Sequence, residues 1–147
     1  ETMIPMTAVV PGAKLGLANI PNLIALVLFG FQAGMQVLIL RIIIASLIAG
    51  TFMTINFYFS LIGGFLGFLA MAFAYFYFKD KLSIIGISVI GAVFHNLGQI
   101  ITAFFIIENQ GIFYYLPFLL LMSIPSGFGV GLVSYLTVNH LPFGEEY

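Results

Sequence analysis

Six side chains in this sequence could hold a small polar or anionic molecule: Lys14, Gln36, Arg41, His95, Asn96 and Gln99. Arg41 stands ten residues into the run Phe31–Ala49, with eight apolar or small residues after it. A guanidinium stays charged in proteins and is costly in hydrocarbon, so one placed this far from a helix end needs an anion or a set of carbonyls. No acid falls at comparable depth, because Glu1, Asp80, Glu108, Glu145 and Glu146 all lie at turns or tails. An anionic ligand, a carboxylate on a partner chain and the carbonyls of a broken helix all remain open.

His95, Asn96 and Gln99 interrupt Leu82–Ile107, 26 residues without a charge. As a helix this run spans a ~30 Å hydrocarbon core with tilt to spare, and it places His95 near the middle. Ser88, Ala92, His95, Gln99 and Thr102 then share one face at three- and four-residue spacing. That face either lines a cavity together with Arg41 or hydrogen-bonds a neighbouring helix. Gln36 repeats Gln32 one turn on, and the pair either lines the same pocket or bridges helices. Lys14 follows Pro11-Gly12 and precedes a helix start, where it either meets an anion at the pocket mouth or rests among lipid headgroups.

Other chemistry is poorly provided for. There is no Ser/His/Asp set, no paired carboxylate, no phosphate-binding glycine loop and no aspartate cluster for diphosphate and magnesium. Asp80 is the only aspartate, and it sits between Lys79 and Lys81. The second histidine, His140, is in the tail, so a metal site is not expected. Zero cysteines removes thiol chemistry and disulfides. The expectation is a non-enzymatic protein that needs no cofactor.

The elements that must position these residues follow from composition. The 147 residues are 62% hydrophobic and 6% charged. A soluble surface needs charge at about a quarter of positions, so an all-α, polytopic transmembrane helical bundle is expected. The net charge of −1 offers no nucleic-acid surface. Five apolar segments are read: Leu17–Phe29, Phe31–Ala49, Phe52–Phe78, Leu82–Ile107 and Ile112–Val138. The first is short enough for a half-helix, and the last is expected to break at Pro117 and Pro125. Residues 1–16 read as an irregular interfacial segment and Asn139–Tyr147 as a polar tail. The stripe Asn56, Ser60, Gly63, Gly64, Gly67, Ala70 and Ala74, with Gly127 and Gly131, predicts close helix contacts. Tyr58, Tyr75, Tyr77, Tyr114 and Tyr115 lie near run ends, as an aromatic belt would. Lys79 and Lys81 place their loop in the cytoplasm by the positive-inside rule.

At PGAKLGLANI (Pro11–Ile20), Arg41, SLIGG (Ser60–Gly64), IGISVIGAVFHNLGQ (Ile85–Gln99) and YYLPFLLLMSIPSGFGVG (Tyr114–Gly131), the chain resembles the bacterial membrane family labelled heptaprenyl diphosphate synthase component I, also called the Gx transporter family. The resemblance covers essentially the whole chain. Members are similar to the substrate-binding S components of energy-coupling-factor transporters, which have six helices. The resemblance therefore implies one further helix upstream, followed by an acid that Glu1 matches, in a single integral membrane domain of a bacterial plasma membrane. It also implies a flavin- or quinone-linked role and partners in the form of a membrane coupling subunit and ATPases.

The leading expectation is a membrane-embedded, S-component-like protein that binds and helps move a small polar or anionic molecule. Arg41, His95, Asn96, Gln99, Lys14 and Gln36 would line its site. The alternative is a non-catalytic membrane subunit of a heptaprenyl diphosphate synthase or quinone-related complex.

Overall fold

The structure is a computed structural model that describes residues 17–141. Five α-helices follow a 3-10 turn at Leu17–Asn19: α1 (Ile20–Phe29), α2 (Phe31–Ile48), α3 (Ile55–Phe78), α4 (Ile84–Ile107) and α5 (Leu116–His140). No strand occurs among the described residues. The chain is therefore the all-α helical bundle that its apolar runs predict, since a helix satisfies every backbone polar group within its own segment. Four helices are long and apolar enough to cross a membrane, while the segment Leu17–Phe29 is shorter.

Local chemistry sets the boundaries. Pro21 and Pro117 lie in the first turns of α1 and α5, where a missing N–H costs nothing. Pro117 thus opens α5 and does not break it, and Pro125 is carried inside the helix. Thr51–Thr54 form a turn, so α3 starts at Ile55, three residues later than its apolar run. Ser83 caps α4, its Oγ accepting the Gly86 N–H at 3.2 Å. Glu108, with φ 53°, ends α4 in the left-handed conformation. The expected polar tail begins later, because α5 continues through Asn139 and His140.

Alternation through the connections puts the ends of α1, α3 and α5 and the starts of α2 and α4 at the Lys79–Lys81 end of the bundle. Ten residues of helix make about 15 Å, so α1 rises from that end only halfway through a ~30 Å layer. Its first turn is internal: Asn19 is 6% exposed, and Asn22 and Leu23 are fully buried. Gly30 alone joins α1 to α2, at φ 85°, ψ −174°, a conformation open essentially to glycine.

The small-residue stripes close the helix seams. A Cβ at Gly67 would stand 2.8 Å from the Gly91 carbonyl of α4, and one at Gly63 2.9 Å from the His95 carbonyl. On α5, a Cβ at Gly127 would lie 2.6 Å from Val89 Cα, and one at Gly131 2.6 Å from Ile85 Cα. Helices α3, α4 and α5 therefore touch backbone to backbone, the approach that dispersion requires between helices in lipid. Phe68, fully buried, fills the space between α3 and α2 at Gly34. Leu23, Leu26, Leu38, Ile42, Met71 and Ile87 complete the apolar core.

Candidate functional site

The two adjacent glycines Gly63-Gly64 on α3 bring the sequence-singled residues of α2 and α4 to one level. Gly64 faces α2, where a Cβ would be 3.1 Å from Leu38, 3.2 Å from Ile42 and 3.5 Å from the Nη2 of Arg41. Gly63 faces α4, where a Cβ would be 3.0 Å from the Gln99 side chain and 3.3 Å from His95 Cε1. Successive Cβ positions on a helix are about 5 Å apart, so the Arg41 and His95 side chains end within roughly 12 Å of one another. A side chain at either glycine would occupy the ground on which these two groups rest.

Arg41 is the eleventh of the eighteen residues of α2 and is half-buried. It flanks the stripe Gly34, Leu38, Ile42 and Ser46 by which α2 packs inward. Asp80 and Glu108, the acids among the described residues, stand exposed just beyond helix ends. On α4, Gln99 is buried and its Nε2 stands 3.1 Å from His95 Nε2. The Gln99 amide and the His95 ring nitrogen form a hydrogen bond whose donor follows the ring tautomer. Thr102 returns its hydroxyl to the Gly98 carbonyl at 2.8 Å and is thereby absorbed into the helix.

Two candidates are placed differently. Asn96 is turned to α5, where its Nδ2 donates to the Leu119 carbonyl at 2.8 Å, an interhelical tie that takes up the amide. Gln36 is exposed, as is Gln32. It lies about 200° around α2 from both Gly34 and Leu38, opposite the packing stripe, and so it does not join Arg41. Lys14 lies outside the described residues. No group of three or more metal-ligating side chains occurs among the described residues.

The structure adds two buried amides, displaced from the level of Arg41. Asn19 and Asn22, at the start of α1, are buried within the bundle. Asn22 Nδ2 reaches Asn19 Oδ1 only at the limit of a hydrogen bond, 3.5 Å, and Asn22 Oδ1 is buried with no partner among the described residues. A Cβ at Gly34 would lie 3.4 Å from the Asn22 carbonyl oxygen, and Arg41 follows Gly34 by two turns, about 10 Å. The start of α1, the positive end of its dipole, points away from the lysine end toward the level of Arg41. The signal in the sequence was a pair of amides three residues apart around Pro21, inside the one run too short to span.

A family model described as heptaprenyl diphosphate synthase component I matches residues 1–137. No curated protein and no solved structure matches the chain.

Proposed function

Because this chain belongs to the heptaprenyl diphosphate synthase component I family, we propose that it is the membrane-embedded, non-catalytic binding component of a larger assembly, and that it takes up a small anionic or polar molecule beside Arg41. One observation carries the reading: a permanently charged guanidinium rests against Gly64, in the middle third of α2, with His95 and Gln99 across the neighbouring glycine. The apolar walls supplied by Leu38 and Ile42 strengthen an ion contact there, because low local dielectric raises every electrostatic term. Arg41 supplies charge and a forked donor, and the His95–Gln99 pair supplies a directed donor or acceptor.

The described residues offer no carboxylate cluster to hold a diphosphate–metal pair. Binding followed by transfer to a partner, or across the bilayer, is the task this arrangement suits. Movement would be powered by a partner ATPase, in the manner of a transporter's substrate-binding component. A second reading is favoured by the family description and by the apolar walls. In it Arg41 meets the diphosphate of a polyprenyl chain on behalf of a separate synthase subunit.

Native mass spectrometry of the protein purified from its own membrane tests the proposal. A retained small polar or anionic mass that disappears in Arg41→Ala, with the helical signal intact, is the expected result. A retained polyprenyl diphosphate moves the chain to the second reading. Undiminished retention in Arg41→Ala overturns the assignment of the site.

A further inference from the structure

The buried amides at the start of α1 are not explained by packing. Asn22 is fully buried, its Oδ1 has no partner among the described residues, and its Nδ2 makes one contact at 3.5 Å. An apolar residue of similar volume would fill the same space without leaving an acceptor unmet, and an unmet buried acceptor is destabilising. The amide lies in the first turn of a helix that starts inside the bundle, turned toward Asn19 at the N-cap position. Half-helices that begin at mid-membrane depth are a recurrent means of presenting N–H groups and a positive dipole end to a ligand.

We propose that the first turn of α1, read through Asn22, is a second subsite of the pocket served by Arg41, and that the molecule bound carries both an anionic group and an N–H or O–H donor. This rests on the reading of Arg41 given above. The anion meets the guanidinium, and the donor meets Asn22 Oδ1 at a point displaced by up to two turns of α2, about 10 Å. The requirement narrows the ligand class. A polyprenyl diphosphate has an anionic head but only hydrocarbon at such a distance, and it cannot supply the donor. A compact molecule with an amide, imide or hydroxyl group remote from its acid can. Asn22 is sealed among side chains, so entry requires α1 to swing, and the single residue Gly30 is the link about which it can do so.

The absence of cysteine makes the test direct. The protein in lipid nanodiscs, carrying either Asn22→Cys or Leu26→Cys, is treated with a small water-soluble methanethiosulfonate reagent. Leu26 lies one turn further along the same face of α1 and is equally buried, so it reports general looseness of the helix. Cysteine at 22 is expected to react at least tenfold faster than cysteine at 26. Equal rates, or two unreactive cysteines, overturn the subsite. Alongside, small molecules retained by the wild-type protein and by Asn22→Leu are compared by mass spectrometry. Loss of a donor-bearing anion from Asn22→Leu, at unchanged thermal stability, is the expected result. Its retention, its absence from the wild type or the presence of a polyprenyl diphosphate overturns the ligand class. Labelling at 22 with binding indifferent to Arg41→Ala would instead overturn the reading of Arg41 and leave the subsite standing.

Discussion

At the scale of single residues, the fold puts some of the expected site residues to structural use. Asn96 has been used: its bond to the Leu119 carbonyl ties α4 to α5. Asn96→Leu should lower stability by ~1 kcal/mol, the usual worth of an interhelical hydrogen bond in a membrane protein, and should leave ligand retention unchanged. Thermal unfolding in detergent paired with native mass spectrometry separates the two effects. Arg41→Lys keeps the charge and loses the forked donor, so retention should fall less than in Arg41→Ala without returning to the wild-type level. Much of this was legible beforehand. Arg41 and His95 announce themselves as ionisable groups at depth, and the structure sets them against adjacent glycines of α3, within roughly 12 Å of one another. The fates of Asn96 and Gln36 were not legible, because both depend on helix rotation. An apolar run hydrophobic all round gives no amphipathic phase from which to read that rotation. Asn22 is not legible in the sequence, because a neutral amide in a short run carries no charge to mark it, and its weight comes only from burial.

At the scale of elements, the glycines of the seams and the glycines of the free faces should behave oppositely. Gly127→Ala would drive a methyl group to 2.6 Å from Val89 Cα, and backbone cannot rotate aside. A loss of ~1–3 kcal/mol is expected as α5 is levered from α4. Gly129, two residues along the same helix, has nothing within 4 Å of its Cβ position. Gly129→Ala should gain ~0.5–1 kcal/mol from helix propensity alone. The pair of melting temperatures, one falling and one rising, checks the α4–α5 seam. The spacing of the small residues pointed to these seams, and the structure supplies their partners. The continuity of α5 through Pro125 was not legible, since a proline breaks or merely bends a helix according to what surrounds it.

At the scale of the molecule, five helices pass through two unequal units. Helices α3, α4 and α5 are joined along backbone-to-backbone seams, whereas α2 is the least buried of the long helices and reaches α3 through the side chains of Leu38, Ile42 and Arg41. The helix count and order were legible from run lengths, and the depth at which α1 starts was legible only as an option. A thirteen-residue run can be a half-helix, a kinked span or a core helix, and only its neighbours decide among them. The arrangement has a sidedness that cysteine scanning can check in this cysteine-free chain. Cysteines replacing Asp80 and His140 should be labelled from one side of sealed vesicles and one replacing Glu108 from the other. Asp80 and His140 labelling from opposite sides would contradict the alternation of α3, α4 and α5.

The one-residue junction at Gly30 also has a mechanical meaning. A longer loop would let α1 slide, tilt and translate against α2, but a single residue leaves no slack, and the only motion left is rotation about a point. Asn22 sits eight residues from that pivot, on an arm of about 12 Å, so a turn of about 20° would sweep it through about 4 Å, close to the thickness of one aromatic ring.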